Sequence, residues 1–166
     1  RRGGGRIVNI SGGGATSPRP DFSAYAASKC ALVRFTETLA LEVRADKIMV
    51  NAVSPGAMNT RMLDELLAAG PDAAPREFES ALKRNREGGD SPERAAGLVA
   101  LLCSSLSNGI TGKLISAPWD DWEHLPQRAA ELVNSDVYTL RRVTPVETRS
   151  ASLRAAEVAG KACDVV

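Results

Sequence analysis

Histidine is almost missing from this sequence, cysteine is sparse, and no long apolar run occurs. The one histidine, His124, and the three cysteines, Cys30, Cys103 and Cys163, lie far apart with no CxxC spacing. That pattern excludes a zinc site and a disulfide framework, so no metal is expected. Cys30 and Cys103 read as small buried hydrophobes in a reducing compartment. No stretch approaches the roughly 20 apolar residues of a membrane-crossing helix, and the first residues hold no apolar signal core. The expected compartment is the cytoplasm, with no membrane partner. Excess charge is lacking too: 21 basic and 20 acidic residues leave a net +1, too little to drive binding to nucleic acid. The pairs Arg1-Arg2 and Arg141-Arg142 read as solvated ends rather than a binding stripe.

What is present suits one globular domain: 166 residues, 43% hydrophobic and 25% charged. The chain opens on Arg1 and runs almost at once into a strand, so it reads as the later part of something longer.

"RIVNIS", Arg6 to Ser11, is a β-branched run between glycines, the pattern of a strand buried on both faces. A helix is expected from about Phe22 to Arg44, capped by Ser23, with an apolar stripe of Ala27, Ala31, Leu32, Phe35, Leu39 and Val43. "KIMVNAVSPG", Lys47 to Gly56, is a second buried strand stopped by Pro55-Gly56. Strand, long helix and strand form a βαβ unit with a right-handed crossover. Asn59 to Ala69 reads as an amphipathic helix. Residues 70 to 90 read as a mobile insertion with a short helix over Pro75 to Arg86. Ser91-Pro92-Glu93 opens a helix running to about Ser104, with a capping serine, proline at the first helical position and an acid in the first turn. "NGITGKLISA", Asn108 to Ala117, supplies a turn and a third strand. The fold class is α/β, a Rossmann-like parallel sheet flanked by helices and represented by about three strands. Residues 118–166 read as an extension, helical near Leu125 to Asn134, ending in a loosely held tail.

Gly12-Gly13-Gly14 between strand and helix suggests a phosphate nest. The details oppose it: neither GxxxxGK[ST] nor GxGxxG is present, and ten residues with two prolines separate Gly14 from Tyr25. "NISGG" also lacks the first glycine of the GxSxG elbow. Tyr25 and Lys29, four apart on a helix, share a face. A positive charge roughly 5 Å from a phenol, at an effective dielectric of about 20, favours phenolate by about 3 kcal/mol. Such a tyrosine can exchange a proton with a carbonyl or an alcohol. The spacing alone also fits an ordinary helix surface; its surroundings decide between the two.

Taken together, "GRIVNIS", "SAYAASKCALVRFTETLALEV", "IMVNAVSPGAMNT" and "NGITGKLI" resemble, in order and spacing across residues 5–117, the later half of the short-chain dehydrogenase/reductase family. The resemblance implies an NAD- or NADP-dependent oxidoreductase that moves a hydride between nicotinamide and a small carbonyl or secondary alcohol. Tyr25-x-x-x-Lys29 matches the catalytic motif: Tyr25 would donate the proton, and Lys29 would activate it and hold the nicotinamide ribose. Pro55, Gly56 and Thr60 match a PGxxxT stretch that borders the nicotinamide. The resemblance also implies a homo-oligomer formed through the helix over 22–44, whose small face of Ala24, Ala27, Ser28 and Ala31 would suit close packing.

Two departures stand out. The family's catalytic serine, 13 residues before the tyrosine, is Gly12 here. Ser11 is the nearest hydroxyl, yet neighbouring strand side chains face opposite ways; the glycines can twist it round, or Thr16 or Ser17 can fold in. After the third strand, "SAPWDDWEH" replaces a glycine-rich turn, placing Trp119 and Trp122 either over a substrate pocket or in a surface turn. His124 reads as a solvated loop residue. The family's TGxxxGxG turn and NNAG stretch have no counterpart. The alternative to an enzyme is a non-catalytic interaction module, which Gly12 favours and Tyr25, Lys29 and PGxxxT oppose.

Overall fold

The computed structural model describes residues 3–144. Three strands, β1 (Gly5–Ile10), β2 (Ile48–Ser54) and β3 (Leu114–Ser116), form a parallel sheet in the order β1-β2-β3. The register runs from Gly5 beside Ile48 to Ile10 beside Val53, and from Ala52 beside Leu114 to Ser54 beside Ser116. Five helices accompany them: α1 (Ser23–Glu42), α2 (Arg61–Ala69), α3 (Pro75–Glu87), α4 (Pro92–Cys103) and α5 (Ala129–Leu132). This is the expected α/β architecture.

Side chains alternate across β2, and the two faces carry separate cores. Ala52 packs with Ala15 and Val33 of α1, whereas Val53 packs with Leu98 and Leu102 of α4. The strands advance in one direction while α1 and α4 cover opposite faces, so the two crossovers have opposite hands. Only one of them follows the right-handed rule. The α4 core is the larger, and it takes in Trp122, Leu125 and Leu132. Residues 118–144 therefore share the core of the sheet. Their helical content differs from expectation: a 3-10 stretch, Trp122–Arg128, precedes the short α5. The expected tail falls on residues 145–166, outside the described residues, as do Arg1-Arg2 and Cys163.

The structure corrects several readings. Ile7 and Ile10 of β1 are exposed rather than buried, and β2 is the one strand beside β1 among the described residues. The buried face of α1 is Val33, Thr36, Glu37 and Ala40; Ala27, Ala31 and Phe35 are exposed. Hydrophobicity misreads this helix because its inner face carries two satisfied polar groups. Thr36 accepts from Asn9 Nδ2 at 2.8 Å, and Glu37 accepts from Arg34, Arg141 and the Leu140 backbone. Arg141, read as a solvated end, is thus tied to Glu37 and Asp136. Ser23 is the first helical residue, and Phe22 holds the cap position without a side-chain bond. Cys30 and Cys103 are exposed, because each lies on the outer face of its helix.

Other expectations match. Ser91 caps α4 by accepting from Glu93 N at 3.2 Å. Asn51 stays inside the sheet by donating to the Ile110 carbonyl and accepting from Lys113 N, which fixes the loop leading into β3. His124 is exposed, and its hydrogen bond to Asp121 raises its pKa.

Candidate active site

A cleft of about 400 Å³ opens beyond the carboxyl ends of β1 and β2, where ligands enter open parallel sheets. Ser11, Tyr25, Lys29, Pro55, Gly56 and Thr60, which sequence reasoning selected from three separate segments, all line it. The chain brings them together by ending both strands at one level: Ser11 follows β1 directly, and Ser54-Pro55 closes β2.

Tyr25 and Lys29 occupy adjacent turns of α1 and face this cleft together. Lys29 Nζ lies 5.7 Å from the Tyr25 ring centroid and donates to the Ile10 carbonyl at 3.2 Å. That bond uses one of three donors and holds the ammonium at the end of β1. Phe22 buttresses the tyrosine edge-to-face, its ring centroid 6.2 Å away.

Gly12 explains how the phenol fits. Its backbone is extended, a conformation open to any residue, so the requirement is space. A β carbon there would stand far inside contact distance of the Tyr25 hydroxyl and 3.9 Å from Lys29 Cγ. Ser11 is buried, and its hydroxyl donates to the Lys29 carbonyl at 3.3 Å. Ser11 and Gly12 thus both border the cleft, because β1 has already ended at Ile10.

Gly56 has two reasons to be glycine. Its φ is +95°, and the Asp90 carboxylate fills the place of a side chain while accepting from Ala57 N at 2.5 Å. Asp90 thereby joins the end of the 61–90 insertion to the turn after β2. Thr60 precedes α2 without using its hydroxyl as a cap.

Sequence reasoning missed Arg19, which sits in the Pro18–Pro20 loop. Its guanidinium stacks 5.0 Å from the Phe22 centroid and 5.4 Å from that of Tyr25, and pairs bidentately with Glu77 of α3 at 2.8 and 2.5 Å. The Glu77 hydrogen bond holds Arg19 above its ordinary pKa, against the opposing effect of burial, and Tyr25 adds to it. In return the Arg19 bond holds the Glu77 carboxyl below the usual carboxylate range. Nothing local in the sequence links positions 58 residues apart, so no spacing could have found this pair.

Trp119 also lines the cleft and is 85% exposed, whereas Trp122 is buried and donates to the Ala117 carbonyl at 3.0 Å. The two tryptophans therefore divide: one is a core anchor and the other stands at the cleft mouth. Among the described residues no group of three or more His, Cys, Asp or Glu side chains is placed to hold a metal, and no helix is long and apolar enough to cross a membrane.

A parallel α/β sheet with a cleft at its strand ends is a Rossmann-like arrangement, and comparison with known proteins assigns the family. Residues 1–117 match the family model described as enoyl-(acyl carrier protein) reductase. Human dehydrogenase/reductase SDR family member 4 is 39% identical over 115 residues, covering 69% of this chain and 40% of the relative. The 3-oxoacyl-(acyl-carrier-protein) reductase of Aquifex aeolicus is 34% identical over 111 residues, covering 67% of this chain and 42% of the relative. Among solved structures, an actinorhodin polyketide ketoreductase with NADPH aligns with a TM-score of 0.59 and 32% identity, over 69% of this chain and 46% of that one. The chain belongs to the short-chain dehydrogenase/reductase family. It spans about two fifths of the length of the curated relatives it matches.

Proposed function

We propose that this chain carries the proton-transfer site of a nicotinamide-dependent oxidoreductase acting on a carbonyl or secondary alcohol, with Tyr25 as its general acid and base. The observation that carries the reading is the convergence of Tyr25, Lys29, Pro55, Gly56 and Thr60 on one cleft. Ketoreductase and dehydrogenase relatives support it, one of them a structure with NADPH.

The residues present fit the nicotinamide end of NAD or NADP. Lys29 has two ammonium donors beyond its bond to Ile10 and would hold the ribose hydroxyls with Tyr25. Pro55 and Gly56 would flank the ring, and the uncapped Thr60 hydroxyl would reach its carboxamide or phosphates. When bound, the cofactor supplies or accepts the hydride. In the reduction direction Tyr25 gives its hydroxyl proton to the carbonyl oxygen and is left as phenolate, which the nearby ammonium stabilises. Solvent then reprotonates it. Ser11 is the serine we assign to steer the substrate oxygen, and its hydroxyl must turn from the Lys29 carbonyl to do so. The exposed face of Ala24, Ala27, Ser28 and Ala31 on α1 is the surface we assign to self-association, checked by sedimentation.

Carbonyl reduction followed by NADH or NADPH consumption tests the reading in the intact protein. Tyr25→Phe is expected to lower turnover by about 10²–10⁴-fold, the range for a general acid. Undiminished turnover removes Tyr25 from the mechanism. Gly12 favours a second reading, a binding module without catalysis; on that reading neither NADH nor NADPH binds.

A further inference from the structure

A second chamber, of about 440 Å³, adjoins the Tyr25 cleft and shares Gly12, Gly13, Ser54 and Trp119 with it. We propose that this chamber receives the remote part of the substrate and selects a neutral, polyhydroxylated molecule, a sugar or cyclic polyol, read by Trp119, Asp120 and Tyr138. The proposal rests on the catalytic reading of Tyr25: a molecule whose carbonyl meets that phenol extends past Gly12 into this space.

The wall chemistry sets the class. Among the described residues, Thr16, Ser17, Ser54, Tyr138 and Thr139 bring five hydroxyls, Asp120 brings the one carboxylate, and no lysine or arginine lines the chamber. Asp120 is fixed for recognition, its Oδ2 accepting from Ser116 N at 2.7 Å while its own N–H donates back to the Ser116 carbonyl at 3.1 Å. At the shared rim the exposed indole of Trp119 offers a flat apolar face, which suits the C–H face of a sugar ring. A substrate phosphate or carboxylate would meet Asp120 with no cation on the wall to offset it. The cations of the neighbouring cleft stand apart from this wall: Arg19 is paired with Glu77, and Lys29 and Arg84 border the Tyr25 cleft but not this chamber.

The chain also holds Tyr138 in place at a cost. Its φ is +60°, the left-handed region a bulky residue occupies only when its surroundings impose it. Leu114 N donates to the Tyr138 carbonyl at 2.8 Å, tying it to β3. Two buried charges hold the flanks: Lys113 donates to the Ser135 and Val137 carbonyls at 2.8 and 2.9 Å, and Glu37 accepts from Leu140 N at 2.7 Å. Strain and two buried ions converge on the segment that closes the chamber, the pattern expected where position serves recognition.

Intrinsic fluorescence of the intact protein tests this, since Trp119 is exposed and Trp122 buried. The probes are myo-inositol and D-glucose, with D-glucuronate and D-glucose 6-phosphate as charged counterparts. Saturable change with the neutral pair, at least tenfold weaker binding of the anions, and loss of the signal in Trp119→Phe are expected. Asp120→Asn should narrow the gap between neutral and anionic probes severalfold, and Tyr138→Phe should weaken the neutral ones. No saturable change, or anions bound as tightly as neutral polyols, in protein with an unaltered melt overturns the assignment. Tyr25→Phe separates the two readings, because it should lower turnover by about 10²–10⁴-fold yet leave the titration unchanged. Turnover of a carbonyl by protein that binds no polyol removes the chamber alone, and polyol binding with undiminished Tyr25→Phe turnover removes the tyrosine alone.

Discussion

The hydroxyl of Tyr25 occupies the space where a side chain at Gly12 would begin. Family resemblance expects a serine there, so phenol and missing side chain are two halves of one arrangement. Gly12→Ala should push the hydroxyl aside by rotation of the tyrosine ring and lower kcat at least tenfold, with the fold intact. Gly12→Ser imposes the same displacement but adds a hydroxyl to steer the substrate, and should recover part of the loss relative to Gly12→Ala. Steady-state kinetics on both variants check this. Full activity in Gly12→Ala would show that the phenol tolerates other positions.

The Arg19–Glu77 pair joins the loop beside Tyr25 to the insertion helix α3, and its pH dependence has a definite sign. Glu77 has a folded pKa below its unfolded value, so its contribution is complete above the unfolded value. It is lost as pH falls through the folded one. Hydrogen exchange in α3 should be steady from neutral pH down to about pH 5 and accelerate below about pH 4, beyond the intrinsic effect of acid. Glu77→Gln should produce that loosening at neutral pH, by roughly 1–3 kcal/mol for a charge-assisted bond. Unchanged exchange in the variant would show that α3 is held by Ala74 and Ala81, which are buried.

Lys113 makes the matching case at the other end of the site. Burial is the largest influence on it and pulls its pKa below the ordinary lysine range, with Arg141 adding to this and Asp136 and Glu37 opposing it. A lysine with a depressed folded pKa costs stability while protonated in both states, and the cost falls as pH rises from the folded value toward about 10.4. Lys113→Met should therefore cost little global stability at pH 7, and should lack the gain that wild type shows on moving to pH 10. The carbonyls of Ser135 and Val137 lose their donor, so proteolysis within 135–141 should speed up in the variant. Equal proteolysis would mean that Glu37 and Leu114 suffice to hold the segment.

The sheet, its order of elements and the candidate cleft were legible because each rests on local signals. β-branched runs marked β1 and β2, Ser91-Pro92 marked the start of α4, and the four-residue step from Tyr25 to Lys29 fixed a shared face. What escaped depends on partners distant in sequence. Thr36 and Glu37 lay outside the apolar stripe read for α1, yet they face inward because Asn9, Arg141 and Leu140 meet them. Arg19, Asp90 and Tyr138 are held at the two clefts by Glu77, Ala57 and Leu114, from 24 to 58 positions away. Cys30 and Cys103 read as buried by residue type, and the helix faces decided otherwise.

Gly97 links the α4 core to the mouth of the site. It lies inside α4, where glycine costs about 0.5–1 kcal/mol relative to alanine, and a β carbon there would stand 3.1 Å from Trp122 Cη2. The indole cannot retreat freely: its N–H donates to the Ala117 carbonyl at 3.0 Å, and the Arg94 guanidinium lies 5.5 Å from the ring. In Gly97→Ala the helix gain and the crowding should nearly cancel. Gly97→Val adds two methyl groups and a β-branched residue to the helix, and should destabilise by roughly 1–3 kcal/mol through overpacking. A displaced Trp122 carries Ala117 with it, and Asp120 and Trp119 follow on the same short turn. Thermal melts should therefore fall in step with weaker polyol quenching in Gly97→Val, while Gly97→Ala keeps both. A lowered Tm with polyol affinity unaltered would show that the turn holds its shape independently of the core anchor.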